Sequence, residues 1–305
     1  MLQLHEDVNF HYETLRSLGL VRYGGGDITE QLAILPKIRP GNFEDWYREW
    51  HNLGLRVLSS IGESKLDSYS PVTLRDVYFR ASHYFFVSDF FLHGDPSDPR
   101  GYDAFKLWRK YYDKANALLP IPGQHVSIYS GHGFAIPIII YRASQASESK
   151  PRPTLIVGGG FDSNMEETMH VFGFPALERG YNVILYEGPG QPWLLREQKQ
   201  GFIVEWERVV TPIVDYLFAH DTELPFIDTA KLGLVGMSLG GYLCARAAAF
   251  EPRLAAVMAI DGVWNLGDSL TKILPELKDV WEQGDAKSLN EGFDAISSSS
   301  PTGKR

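Results

Sequence analysis

Ser238 stands at the centre of Gly236-Met237-Ser238-Leu239-Gly240, a G-x-S-x-G run with the apolar stretch LGLVG leading into it and SLGGYLCARAAAF following. The first stretch reads as a buried strand and the second as a helix. The serine therefore falls in a strand–turn–helix context, the setting in which its hydroxyl becomes an exposed nucleophile. Glycines two residues to either side remove the Cβ atoms that would collide in so sharp a turn. The pattern is not a dinucleotide-binding loop, because G-x-x-x-G-G is not G-x-G-x-x-G, nor a phosphate-binding loop, because Gly-Lys-Ser/Thr is missing. A glycine-rich turn around an unreactive serine is the plain alternative.

A nucleophile of this kind attacks a carbonyl, and the charge that develops on the oxygen needs backbone donors. One donor is the N–H of the residue after the serine, here Leu239, and the other comes from the loop after an earlier strand. Gly158-Gly159-Gly160-Phe161-Asp162-Ser163 follows the strand TLIV and points to Phe161 as that second donor; a tight turn without catalytic work is the alternative. Glu187-Gly188-Pro189-Gly190-Gln191-Pro192-Trp193 closes the next strand at the same edge, either as a structural turn or as a substrate contact. No H-E-x-x-H, C-x-x-C or similar ligand spacing occurs, so neither a metal nor a cofactor is implied.

These loops need a sheet to hold them. After Gly123 the hydrophobic rhythm is that of strands: HVSIYSG and FAIPIIIYRA read as a hairpin. TLIVGGG, YNVILYEG, LGLVG and LAAVMAID read as buried parallel strands separated by the helices SNMEETMHVFGFPALERG, EWERVVTPIVDYLFAH and SLGGYLCARAAAF. SQASESKPRP reads as a polar surface loop. Before Gly123 the pattern is helical, with Trp46, Trp50, Leu53 and Val57 on one helix face. Twelve aromatics between Tyr78 and Tyr112 belong to helices packed on both faces, as ordinary core or as the wall of an apolar cavity. DPSDPRG, residues 95–101, reads as a loop. The expected organisation is a helical domain over 1–123, an α/β domain of about six strands over 124–285, and a disordered polar tail over 286–305.

Composition narrows the partners. With 29 Lys and Arg against 38 Asp and Glu the net charge is −9, and without basic runs neither nucleic acid nor an anionic membrane is an expected partner. A chain of 305 residues, 44% hydrophobic, has ample material for a core. The one cysteine, Cys244, lies among small residues at helical spacing and reads as packing. The start MLQLHEDVNF lacks the basic and apolar regions of a signal peptide, and no apolar run reaches the ~20 residues of a membrane helix. A cytoplasmic protein acting on a small molecule is the expectation; the oligomeric state stays open.

The motifs Gly159-Gly160-Phe161-Asp162-Ser163 with Glu166 and Glu167, Glu187-Gly188-Pro189-Gly190-Gln191, and Gly236-Met237-Ser238-Leu239-Gly240-Gly241 together resemble one family. It is that of the α/β-hydrolases related to 2,6-dihydropseudooxynicotine hydrolase and, closer still, of fungal polyketide-pathway hydrolases from fusarin-, pseurotin- and cytochalasan-type clusters. The helical half, including YGGGD at 23–27, is similar to that family's cap. The resemblance implies an α/β-hydrolase sheet, incomplete at about six strands, with an N-terminal helical cap domain packed over its carboxyl edge. It further implies a polyketide-like substrate cleaved at an ester, amide or carbon–carbon bond, or closed into a ring.

In this family the triad runs Ser, then Asp or Glu, then His, yet the last histidine of the 305 residues is His220. Three explanations stand. The sequence is a truncated version of a longer hydrolase; or an upstream histidine substitutes, with His170, His132, His83 and His93 as the choices and Asp261 or Asp268 orienting a base or touching substrate; or the protein binds a ligand without turnover. The first explanation also leaves LAAVMAID as an exposed edge strand.

Overall fold

The structure, a computed structural model, describes residues 2–92, 95, 97–273, 275 and 278–284. His93 and the tail expected over 286–305 lie outside the described residues. The chain divides into two compact units, one of residues 1–115 with those from 264 onward, the other of residues 116–263.

The first unit is helical. Its helices are α1 (Val8–Gly19), α2 (Ile28–Ile34), α3 (Phe43–Ser59), α4 (Pro71–Asp89) and α5 (Pro99–Ala117). Each of the first four starts on a polar cap whose side chain accepts first-turn N–H groups: Asp7, Asp27, Asn42 and Ser70. On α3, Trp46, Trp50, Leu53 and Val57 are all buried, as their spacing demands. The Trp46 indole donates to the Val87 carbonyl of α4 at 2.8 Å. Gly54 lets the two helices close up, because a Cβ there would meet the Phe85 ring at 2.9 Å. Eight of the twelve aromatics between Tyr78 and Tyr112 are buried within this unit, which makes those eight ordinary core. The loop expected at 95–101 is shorter than it reads, since Pro99 opens α5; proline suits a first helical turn, where its missing N–H costs nothing.

Among the described residues the second unit is built on six strands: β1 (Gln124–Tyr129), β2 (Ala135–Tyr141), β3 (Arg152–Gly158), β4 (Asn182–Tyr186), β5 (Ile227–Met237) and β6 (Ala256–Ile260). They lie in the order β1-β2-β4-β3-β5-β6. β1 and β2 form the expected hairpin, β2 runs antiparallel to β4, and β4, β3, β5 and β6 are mutually parallel. Between the strands lie α6 (Met165–Thr168), α7 (Phe174–Glu178), α8 (Pro192–Gln198), α9 (Glu207–Ala219) and α10 (Leu239–Ala248). After β6 the chain re-enters the first unit, to which α11 (Leu266–Ile273) and α12 (Lys278–Gln283) also belong.

From β3 the chain steps to β4 on one side, then crosses back to β5 on the other. Right-handed crossovers in opposite directions put α6 and α7 on one face of the sheet and α9 and α10 on the other. Val209, Ile213 and Val214 of α9 and Leu243, Cys244 and Ala247 of α10 accordingly share one core with Ile138, Ile156, Ile184 and Leu234 of the strands. The crevice where the strand order reverses is the position in such sheets at which ligands bind. The helix read from 163–180 is interrupted by a π-helical turn, Met169–Gly173. Pro175, two residues on, has no N–H to return to Val171 and would crowd its carbonyl, which is what breaks the regular ladder. At the far end, among the described residues, β6 pairs with β5 alone and all five of its residues are exposed, as expected for LAAVMAID.

Asp45 is one of four carboxyls of the helical unit, with Asp27, Glu44 and Asp98, that hydrogen bonding holds below the usual range. Arg39 grips the buried Asp45 carboxylate with Nε at 2.5 Å and Nη2 at 3.0 Å. That hydrogen bonding lowers the Asp45 pKa from 3.8 to about 2. A depressed carboxyl contributes stability that is complete above its unfolded pKa and lost as pH falls through the folded one. Denaturant melts at stepped pH should therefore show stability falling between pH 4 and pH 2, and Asp45→Asn should remove that part of the slope while lowering stability at neutral pH.

Candidate active site

β3 and β5 are parallel neighbours with Gly158 opposite Gly236, so the loops that follow them leave the sheet side by side. At the end of β5 the chain turns through Ser238 with φ 56° and ψ −125° and enters α10 at Leu239. A non-glycine residue in this left-handed region costs ~1–3 kcal/mol and survives only where its surroundings over-determine it. Here they do. The Ser238 N–H donates to the Ile260 carbonyl at 2.9 Å, and the Gly241 N–H donates to the Ser238 carbonyl at 2.9 Å. The side chain is left exposed.

Three glycines make the turn possible by closing distances no Cβ would tolerate. A Cβ on Gly236 would lie 2.0 Å from the Gly240 carbonyl oxygen, and one on Gly240 would lie 2.3 Å from the Gly159 carbonyl oxygen. A Cβ on Gly160 would lie 3.0 Å from Ser238 Cβ and 3.3 Å from its Oγ. The Gly159-Gly160 backbone is thus in contact with the serine turn, and Phe161 follows directly. Leu239, as the first residue of α10, has no intrahelical acceptor for its N–H; among the described residues the Phe161 N–H has none either. The Ser238 N–H is already committed to Ile260. The two amides named from the sequence, those of Phe161 and Leu239, are thus not committed to another backbone acceptor among the described residues.

The loop after β4 supports the loop after β3. Glu187, at 2% exposure, accepts the Met165 N–H of α6 at 3.0 Å and the Trp193 N–H of α8 at 2.6 Å. Gln191, fully buried, donates from Nε2 to the carbonyls of Gly159 at 2.9 Å and Gly160 at 3.0 Å. Of the two options for Glu187–Trp193, these two side chains fit the structural turn. Sequence reading had no signal for the bonds that reach across loops, because partners 22 residues apart (Met165 and Glu187) or 31 and 32 apart (Gly160 and Gly159 with Gln191) leave no local pattern.

One neighbour was missed altogether. Phe202 stacks on Phe161, with ring centroids 5.3 Å apart and planes 15° from parallel, and both rings are exposed, Phe161 at 63%. Gly190, at φ 88°, makes the seat: a Cβ there would enter the Phe202 ring at 2.2 Å.

The candidate bases fare differently. Among the described residues the Ser238 hydroxyl is hydrogen-bonded to no histidine. His170 is buried in the π-helical turn with its ring against Phe174. His132 lies at the β1–β2 turn, and with β2, β4 and β3 between β1 and β5 it is about 19 Å from the site at ~4.8 Å per strand. His83 is hydrogen-bonded to Ser17 Oγ at 2.8 Å in the helical unit, the packed histidine its aromatic surroundings suggested. Asp261, at φ 53°, follows Ile260 and is exposed; Asp268 lies in the first turn of α11. Cys244 is buried in α10, and burial pushes its thiol up to about 11, so it takes no part as a nucleophile. Among the described residues no cluster of His, Cys, Asp and Glu could hold a metal ion, and no helix is long and apolar enough to cross a membrane.

Known proteins resemble this chain. The family model described as the prolyl oligopeptidase family matches residues 168–305. The hydrolase LUC6 from Fusarium sp is 34% identical over 295 residues, which cover 96% of this chain and 69% of LUC6. The chain belongs to the α/β-hydrolase family. A second hydrolase relative, 20-hydroxy-prefusarin hydrolase FUS2 from Gibberella moniliformis, is 32% identical over 267 residues, 87% of this chain and 63% of its own length. The solved structure of 2,6-dihydroxy-pseudo-oxynicotine hydrolase superposes with a TM-score of 0.67 at 23% identity, covering 82% of this chain and 66% of that one, a likeness of fold. The chain spans about two thirds of the length of these α/β-hydrolases.

The contact between the two loops is backbone against backbone, so nothing flexible can move aside. Gly240→Ala should place its methyl carbon against the Gly159 carbonyl, destabilising the fold by about 1–3 kcal/mol or more. Thermal melts should show this, with Ala245→Gly on the same helix as a comparison that loses only helix propensity.

Proposed function

We propose that this α/β-hydrolase is a serine-type enzyme of fungal secondary metabolism that acts at a carbonyl of a polyketide or polyketide–peptide intermediate. Ser238 is the nucleophile, and the Phe161 and Leu239 N–H groups hold the oxyanion. The observation that carries the reading is the exposed Ser238 hydroxyl, fixed in a left-handed turn against the Gly159-Gly160 backbone. The substrate class rests on the relatives, of which FUS2 is named for 20-hydroxy-prefusarin. The stacked Phe161 and Phe202 rings add to it, since they offer a flat apolar surface beside the nucleophile to an unsaturated chain.

In the reaction Ser238 Oγ forms a bond to the carbonyl carbon as its proton passes to a base. The carbonyl π pair moves onto oxygen and is held by the two amides. Collapse expels the leaving group, which takes up the proton, and leaves an acyl-serine. Water, or a nucleophile within the substrate, then repeats the exchange at the acyl carbon and frees the serine; the second route is ring closure, and it requires water to be excluded. A second reading is favoured by the Ser238 hydroxyl, which has no histidine partner among the described residues. On that reading residues 1–305 alone hold a carbonyl ligand and turn it over slowly, because the oxyanion hole and binding by themselves give only ~10³–10⁴ over water.

A fluorophosphonate probe separates the two. Residues 1–305 should label slowly or not at all, while a version extended through a downstream Asp and His should label readily and lose labelling in Ser238→Ala. Rapid Ser238-dependent labelling of residues 1–305 would instead send the search for the base to His83, His93 and His170, each tested by substitution to Ala. Separately, Phe202→Ala in the active form should raise KM for an unsaturated acyl ester about 2–10-fold, the worth of one aromatic contact, and leave KM for a short saturated ester unchanged.

A further inference from the structure

The run Gly158-Gly159-Gly160 creates a difficulty that its neighbours must solve. Glycine is needed there to let two backbones meet, yet glycine peptides rotate more freely than any others. An oxyanion donor is useful only if its N–H direction is fixed before the reaction. Gln191 supplies the fixing. Its side-chain amide is fully buried and all its polar contacts are to backbone: Oε1 accepts the Gly188 N–H at 2.7 Å, and Nε2 donates to the Gly159 and Gly160 carbonyls at 2.9 and 3.0 Å. The orientation of the amide is unambiguous, because carbonyls only accept and an N–H only donates. The Gly160 carbonyl and the Phe161 N–H belong to one trans peptide, so they point in opposite directions. Turning that carbonyl toward Gln191 turns the Phe161 N–H away from it. The Gly160 Cα, at the other end of the same carbonyl, lies against Ser238.

We propose that Gln191 is a positioning residue: it touches no reacting atom but sets the direction of the Phe161 N–H and so the strength of the oxyanion hole. The proposal rests on the reading of Ser238 as nucleophile. Leucine at this position would leave two carbonyls unpaired, glutamate would present them with negative charge, and asparagine would be one methylene too short to reach both.

The experiment uses the catalytically active form of the protein with p-nitrophenyl butyrate and its thiono analogue, whose sulfur accepts hydrogen bonds poorly. In Gln191→Leu, kcat for the oxo ester should fall by up to ~10²-fold, the lower end of losing one oxyanion donor, with KM little changed and the preference for oxo over thiono ester reduced by a similar factor. Amide hydrogen exchange should quicken at residues 159–161 while α9 and α10 keep their protection. A Gln191→Leu protein that keeps the wild-type oxo-to-thiono preference, or the wild-type exchange at 159–161, overturns the proposal even if it melts lower, since lower stability is all that a structural role predicts. A Ser238→Ala protein that hydrolyses the ester at the wild-type rate is a different failure, which removes the nucleophile and the catalytic meaning of Gln191 together.

Discussion

Everything around the site depends on one constraint, the left-handed backbone at Ser238. Such a conformation costs ~1–3 kcal/mol at a residue with a side chain, and the chain spends hydrogen bonds and side-chain volume to keep it. The Ser238 N–H is tied to the carbonyl that ends β6, and the serine carbonyl is tied to Gly241 inside α10. Gly236, Gly240 and Gly160 each give up a side chain so that backbone can lie where a Cβ would collide. The parallel register of Gly158 with Gly236 is what brings the two loops level. Had β3 and β5 been offset by one residue, the Gly159-Gly160 loop would have met the wrong side of the turn. The order of strands, their register and the glycine positions are thus one requirement met at three scales.

Much of the fold was legible because it rests on periodicity. All six strands read from the sequence are present, and Trp46, Trp50, Leu53 and Val57 fall on one buried face as their spacing requires. The crossing of the chain from β4 back over β3 to β5 was not legible, since nothing local in YNVILYEG or LGLVG states which neighbour each strand will take. The π-helical turn at Met169–Gly173 was hidden behind a stretch that scores as helix throughout, and only Pro175 marked it. At the site, the glycine-bounded serine and the GGG loop announced themselves, because a forced close approach of backbone leaves glycine in the sequence. Gln191 and Phe202 did not, because each acts through a contact made only once β3, β4 and the segment before α9 have been assembled.

The histidines illustrate the same divide. Type alone admitted His83, His93, His132 and His170 as a base; for the three among the described residues, placement says more than type does. His83 is bonded to Ser17 among the helices, His132 is set apart by three strands, and His170 is packed against Phe174. Catalytic roles in this family are assigned by the edge of the sheet a residue reaches, and residue type says nothing about that.

The loop after β4 has a wider reach than a turn between strand and helix would need. Gly190 and Gln191 are adjacent, yet the first makes room for the Phe202 ring and the second holds the carbonyls of Gly159 and Gly160. Phe161 stands where the two effects meet, since its N–H direction follows from the peptide that Gln191 holds while its ring rests on Phe202. On the proposed chemistry, stabilisation of the oxyanion and recognition of the acyl chain are therefore mechanically linked through one residue. A change that tilts this loop cannot alter the surface offered to the substrate without also turning the donor. Diversification of substrate choice in this architecture should then fall on Phe202 and on the exposed ring of Phe161, where side chains can vary without moving the backbone, and should spare Gly190 and Gln191, which set where that backbone runs.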